Sequence, residues 1–358
     1  MKKALKIILI LLLVIILLAA CYVAYVFISY HRIGSGYIAI SGKTDTAAQT
    51  EEPYHLVSWN IGFGAYTQDY DFFMDGGTQS WAESPERLDA NLGEICERID
   101  AFDADFYLVQ EVDIDSTRSY HRDERVPIVT TLGGDYVHTF AQNYDSPFLF
   151  YPFTEPHGAS RSGLLTFSRF DMAKADRVEL PIETSVMKLV DLDRCYSKQI
   201  IPLENGGNLV LYNHHLSAYT SDGQIANEQL RLLVDDMKSE YAAGNYCIAG
   251  GDFNKDLPGN SGDLFGVPTR EGDTWAQPLP EGIIPEGLSL VVPLHEDDPH
   301  ASCRTASEPY NIATTFRITV DGFLVSDNVT VLDSDVIEMD YANSDHNPVY
   351  LDFILNAE

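Results

Sequence analysis

The chain has 358 residues, 45% hydrophobic and 22% charged, a composition that fits a folded globular protein of one large domain or two ordinary ones and excludes a mainly disordered, collagen-like or multi-span chain. Against 23 Lys and Arg stand 54 Asp and Glu, a net charge of −31. So acidic a body does not gather nucleic acid through a general field; a site for polyanions must be local, or must borrow its positive charge from a metal ion.

Lys2, Lys3 and Lys6 precede an uncharged apolar run over residues 7–30. As a helix this run reaches ~36 Å, enough for a ~30 Å hydrocarbon layer. Lysines ahead of it and few cations behind it predict a cytoplasmic N-terminus and an extracytoplasmic body. Two other readings stay open. Leu18-Ala19-Ala20-Cys21 is similar to a lipoprotein processing signal, although Tyr22 to Ile28 stay apolar where a lipoprotein turns polar, and a fully secreted form is the third. Residues 1–30 are thus read as a transmembrane anchor or signal segment, 31–52, rich in Gly, Ser and Thr, as a linker, and 53–358 as one catalytic domain. Among the five cysteines, Cys96 and Cys247 read as core residues, while a Cys195–Cys303 pair is left open; no CxxC spacing suggests zinc.

In chain order, 55–61 reads as a strand and 85–99 as a helix with Ser84 as N-cap and Pro85 in its first turn. Strands follow at 105–110, 162–168, 178–182, 199–203 and 209–214. Residues 224–242 carry Ile225, Leu230, Leu233, Val234 and Met237 at helical spacing. Further strands are read at 245–249, 314–325, 329–336 and 349–355. The Gly- and Pro-rich stretch 256–311 reads as a functional loop insertion. Many strands with few helices predict two packed β-sheets with helices outside.

Polar residues collect where these strands end: Asn60, Glu111, His215, Asp252 with Asn254, and Asp345 with His346. Singly, each reads more readily as a turn residue. Asp321 is different, because a carboxylate between Val320 and Phe323 in an apolar strand must be paired if buried. Together they hold the hard oxygen ligands that Mg2+ or Ca2+ prefers and the imidazoles that acid–base work needs. No serine elbow, Gly-rich phosphate loop or HExxH motif is present. The chemistry indicated is attack of water on a phosphate ester.

Ser58-Trp59-Asn60-Ile61, Gln110-Glu111, Asn213-His214-His215-Leu216, Gly251-Asp252-Phe253-Asn254, Asp321-Gly322-Phe323 and Ser344-Asp345-His346-Asn347-Pro348 occur in this order. The series resembles the endonuclease/exonuclease/phosphatase superfamily, which includes pancreatic-type deoxyribonucleases, abasic-site endonucleases, neutral sphingomyelinases and inositol-polyphosphate phosphatases. The likeness runs from about Tyr54 to Phe353. It implies a four-layer α/β sandwich of two packed mixed β-sheets with outer helices, with the site at one edge. It implies Glu111 as principal metal ligand, Asn60 beside it and Asp345 assisting; the metal would be Mg2+, with Mn2+ or Ca2+ as alternatives. His346 would be general base or transition-state stabiliser oriented by Asp321. Asp252 would position the water, Asn254 would bind phosphate, and His215 would bind a phosphate oxygen or assist the leaving group. His214 stands where the family often has Thr and reads as strand filler, while Ser168-Arg169 is similar to a family Ser-Arg segment whose Arg is either a phosphate contact or structural.

The expected substrate is a phospholipid headgroup or another small phosphate ester, the expected state a monomer held at the membrane by its N-terminal segment. The short His215-Leu216-Ser217-Ala218 segment, similar to one in sphingomyelinases, adds a little to this reading. An extracellular nuclease is the alternative, with Lys255, Arg161 and Arg304 as local cations for a strand, and an inactive binding protein on the same fold is the third reading. The stretch 71–77 reads either as an aromatic, acidic lip to a substrate pocket or as packing.

Overall fold

The computed structural model describes residues 2–184, 188, 193–218, 224–267, 275–295 and 297–357. One seven-stranded sheet runs, in spatial order, β1 (Gly36–Tyr37), β7 (Lys174–Glu179), β8 (Cys195–Pro202), β9 (Asn208–His215), β10 (Tyr246–Asp252), β16 (Asp321–Ser326) and β13 (Leu288–Val291). The other runs β17 (Val329–Val336), β18 (Val349–Leu355), β3 (Pro53–Asn60), β4 (Phe106–Asp113), β6 (Gly158–Ser168), β5 (Val137–Leu149) and β2 (Ile40–Ser41). Two short pairs, β11 (Lys255–Asp256) with β12 (Gln277–Pro278) and β14 (Cys303–Arg304) with β15 (Arg317–Ile318), lie outside the sheets.

Both sheets are mixed, each with one parallel pair at its centre: β3 beside β4, and β9 beside β10. Such central strands are covered on both faces and read as near-continuous apolar runs; Ile248 and Ala249 in β10, and Leu56 and Val57 in β3, are all buried. A core of Leu56, Phe106, Leu108, Leu211, Ile248, Phe323 and Leu351 fills the space between the sheets. Helices α2 (Pro85–Phe102) and α3 (Arg125–Leu132) cover the outer face of one sheet through Leu88, Leu92, Ile95, Ile99 and Ile128. Helix α4 (Gln224–Ala242) covers the other through Leu230, Leu233, Val234 and Met237. The result is the expected four-layer α/β sandwich. Helix α2 begins as predicted, the Arg87 N–H donating to Ser84 Oγ at 3.1 Å, and α4 has the predicted bounds.

One expectation changes, one open alternative closes and one strand is new. Residues 31–52 are not a free linker: β1 and β2 add an edge to each sheet, and Thr44 and Ile38 are bonded to Asp171 and Ala175. Backbone pairing needs no bulky side chains, so composition misreads it. Cys195 and Cys303 are free thiols in separate clusters, so the open disulfide does not form. Strand β5, 13 residues long, goes unpredicted because His138, Gln142, Asn143 and Asp145 dilute its alternation.

The segment before β1 is helix α1 (Lys2–Ser29), long and apolar enough to cross a membrane.

Candidate active site

The parallel pairs bring the site residues to one edge. Register sets Asn60 opposite Gln110 in one sheet. In the other, Asp252 lies between His215 on β9 and Asp321 on β16. Residues more than 280 positions apart, such as Asn60 and His346, thus become neighbours, with Asn60 Nδ2 at 3.5 Å from His346 Nε2.

Glu111 is re-aimed by an irregularity. The pairing of β4 with β6 slips between Val109 and Val112, and Glu111 takes φ 55°, a left-handed value. A bulge of this kind turns one side chain off the pleat, and such backbone strain, of order 1–3 kcal/mol, concentrates at functional sites. Asn254, at φ 49°, is the second left-handed site residue.

At the centre, Asp321 Oδ2 accepts from His346 Nδ1 at 2.7 Å and from Ser302 Oγ at 2.7 Å. This pair fixes the ring's tautomer and points Nε2 toward Asp252 Oδ2, 3.9 Å away. Burial opposes a charged imidazole, but the Asp321 carboxylate outweighs it and holds His346 well above the usual histidine range. His215 Nε2 lies 3.4 Å from Asp252 Oδ2. Burial first, then Arg194 and His346, pushes His215 well below its usual value. Burial and Asp321 push the Asp252 carboxyl up to about 7.

Asn60 Nδ2 donates to Glu111 Oε1 and to Asp252 Oδ2, both at 3.3 Å, while its oxygen accepts from the Gly62 N–H at 3.0 Å. The Asn60 amide therefore presents nitrogen to the carboxylates, and its use as an oxygen ligand needs the amide turned over. Asp345 keeps some surface open to solvent, yet burial, tempered by His346 and reinforced by Glu111, pushes its carboxyl up to about 6.

The donor set fits a divalent cation. Glu111, Asp252 and Asp345 lie close together, their charge offset only in part by Arg118, His346 and Arg304, and Glu111 adds to the upward push on both aspartates. A hard cation relieves that repulsion, and carboxylate oxygens are its preferred ligands. Asp252, Asp321 and His346 have ligand atoms within 4.8 Å of one another. His346 and Ser302 both engage Asp321 Oδ2, which makes the trio a hydrogen-bonded relay as it stands, while Asp321 Oδ1 is buried with no partner among the described residues.

The remaining expectations divide. Asn254 is brought in, its N–H donating to Asp252 Oδ1 at 2.7 Å, its side-chain amide bonded to Leu216 O and to the Trp275 indole. His214 packs on Phe253 at 4.4 Å between centroids, and among the described residues neither of its ring nitrogens has a hydrogen-bond partner, so it fills the core; burial pushes it down to about 3. Arg169 lies at the other end of β6, bonded to Asp103 and Tyr136, and is structural. Arg304 and Lys255 are buried at 0% and 1% exposure, so neither is a surface cation for a nucleic-acid strand.

Several site residues escape sequence reasoning. Arg118 donates bidentately to Asp113 at 3.0 and 2.9 Å, stacks on Phe63, and lies 3.9 Å from Glu111 Oε2. Ser302 clamps Asp321, and Cys303 Sγ lies 3.5 Å from His346 Nε2. The insertion 256–311 thus folds back over the site, although 268–274 and 296 lie outside the described residues. An Arg seven positions beyond Glu111 was a visible signal; Ser302 and Cys303 offered none.

The Endonuclease/Exonuclease/phosphatase family matches residues 57–346. The chain belongs to this family. It is a hydrolase acting on phosphate ester bonds. No curated protein matches the sequence. Among solved structures, an endonuclease/exonuclease/phosphatase from Beutenbergia cavernae DSM 12333 is 19% identical with TM-score 0.57, covering 86% of this chain and 72% of its own. ANGEL2, a 2′,3′-cyclic phosphatase in complex with adenosine-2′,3′-vanadate, is 17% identical with TM-score 0.56, covering 92% and 100%. TDP2 of D. rerio with a single-strand DNA product is 15% identical with TM-score 0.52, covering 85% and 99%. At these identities the likeness is one of fold.

Proposed function

We propose that this chain is a divalent-metal-dependent phosphoesterase, anchored in the cell membrane by residues 1–30, with its catalytic domain, residues 53–358, outside the cytoplasm. The observation that carries the chemistry is the Asp321–His346 pair, 2.7 Å apart and facing Asp252, with Glu111 at the rim. Lys2, Lys3 and Lys6 ahead of α1 support the orientation.

Glu111 and Asp345 are the residues that would hold the cation, Mg2+ by preference. When bound it supplies positive charge to the phosphate oxygens and makes water more acidic. Asp252, fixed by the Asn254 N–H and the Asn60 amide, orients the attacking water and takes its proton. His346, its tautomer set by Asp321, faces the reacting phosphate through Nε2 and stabilises the charge that develops there. His215, 3.4 Å from Asp252, bonds a phosphate oxygen or helps the leaving group depart, and the Asn254 amide adds a phosphate contact. Arg118, tied to Asp113, positions Glu111.

The substrate is a phospholipid headgroup or a small phosphate ester. The burial of Arg304 and Lys255 in a chain of net charge −31 supports this over a polymeric substrate. The test is turnover by the purified full chain, stripped with EDTA and resupplied with Mg2+, on bis-(p-nitrophenyl) phosphate, sphingomyelin, inositol phosphates, plasmid DNA and RNA. Metal-restored turnover of the small or lipid esters is expected; preferential cutting of DNA or RNA with a steep loss in salt would establish a nuclease instead.

A further inference from the structure

The end of β5 and the loop that follows it hold Phe148, Phe150, Tyr151 and Phe153, four aromatics in six positions with no charge among them. Folding does not bury them: Phe150 is 52% exposed, Tyr151 63% and Phe153 84%. Rings on this scale left open to water mark a surface that something covers. Here the structure indicates what covers it. Tyr22 Oη of α1 donates to Phe148 O at 3.2 Å and accepts from the Phe150 N–H at 3.1 Å, and Tyr25 Oη accepts from the Phe148 N–H at 3.2 Å. The Tyr22 and Phe150 rings meet edge to face at 5.4 Å.

That attachment fixes the depth of the loop. Counting from Ile7 at ~1.5 Å per residue, Tyr22 and Tyr25 lie about 22 and 27 Å along a helix that must cross a ~30 Å core. Tyr25 therefore sits near the outer edge of the hydrocarbon and Tyr22 about one turn deeper, both in reach of the aromatic belt. A loop bonded to them lies at the same level. We propose that residues 148–153 are a second membrane contact, seated in the headgroup–acyl boundary of the bilayer that α1 spans, and that they hold the catalytic mouth against phosphate esters of lipid headgroups.

The path from the loop to the mouth is short and aromatic. Tyr151 meets Phe73 at 5.9 Å, Phe73 meets Phe72 at 4.9 Å, and Phe72 meets Phe63 at 6.3 Å. Phe63 carries the Arg118 guanidinium at 3.8 Å, and Arg118 lies 3.9 Å from Glu111. Within the stretch 71–77, Phe72 packs in the core, as one of its two readings had it, and Phe73 joins that packing to Tyr151 of the loop. The membrane contact rests on the transmembrane reading of α1; the lipid-ester part rests in addition on the phosphoesterase reading.

The experiment uses the full chain in phosphatidylcholine vesicles. Phe153→Trp adds a probe beside the native Trp59, Trp81 and Trp275. Its added emission is expected to be blue-shifted and quenched by lipids brominated on the acyl chains. In parallel, Phe150→Ser/Tyr151→Ser/Phe153→Ser should lower the rate on the lipid ester that the wild type hydrolyses in these vesicles by about tenfold or more, through lost orientation, and leave bis-(p-nitrophenyl) phosphate turnover unchanged. Absence of quenching with wild-type hydrolysis intact overturns the membrane contact. Self-association of the wild type that the triple substitution abolishes, without quenching, assigns the loop to a second copy and overturns it equally. Quenching with no hydrolysis of any ester leaves the contact standing and refutes the phosphoesterase reading.

Discussion

Asp321→Asn isolates the relay at the centre of the site. The side chain is 1% exposed, and its Oδ2 accepts from His346 Nδ1 and Ser302 Oγ, each at 2.7 Å. Asparagine keeps the shape but removes the charge, and it places either an oxygen or an NH2 group opposite Nδ1. Loss of a buried hydrogen bond to a charged partner is worth ~1.5–3 kcal/mol, about 10- to 100-fold in rate. A misoriented imidazole extends this toward the ~10²–10⁴ associated with a proton-transfer or charge-stabilising group. The expected result is a kcat on bis-(p-nitrophenyl) phosphate lowered ~10²–10⁴-fold at saturating Mg2+, with KM changed little, because the pair acts on the transition state more than on the bound ester. Thermal unfolding of the same preparation separates this from loss of fold. A kcat within about threefold of wild type in a folded variant would refute the relay, since even the single hydrogen bond is worth more.

Glu111→Gln keeps the fold and weakens the cation site, so activity should require far more Mg2+, and an unchanged Mg2+ titration would remove Glu111 from the metal. Gly251→Ala places a Cβ 1.9 Å from His214 O at a residue with φ +145°, a backbone clash that should cost several kcal/mol and leave little soluble protein; near-normal expression and melting would contradict the packing of β9 against β10. His157 and His214, pushed down to about 4 and about 3, chiefly by burial, should stay neutral in the folded chain to about pH 5 while the unfolded chain protonates near 6.5. These two groups therefore add stability above that range and withdraw it as the pH falls through it. Side-chain NMR that shows either ring titrating near 6.5 would contradict their burial.

Much of the site is legible because its chemistry sits at strand ends. Asn60, Glu111, His215 and Asp252 each close an apolar run, and a parallel pair places such ends at one edge of a sheet. Asp321 is legible as a carboxylate that an apolar strand cannot tolerate alone. Ser302 and Cys303 are not, because their role arises only when the long insertion returns over β16 and the His346 loop. Lys255, Arg161 and Arg304 read alike in sequence as cations for a strand. Packing separates them: Arg161 is half exposed beside Asp115 and Asp145, while the other two are enclosed. Residues 31–52 mislead for the opposite reason, since their small polar side chains hide a backbone that pairs with both sheets.

The most direct test of the central claim is a comparison of Mg2+-dependent turnover by the wild type and by His346→Ala, on whichever phosphate ester the wild type hydrolyses fastest. The geometry around Asp321, His346 and Asp252 predicts that the folded variant loses at least ~10²-fold while EDTA silences the wild type. Equal rates in the two proteins, or full wild-type activity in EDTA, would contradict it.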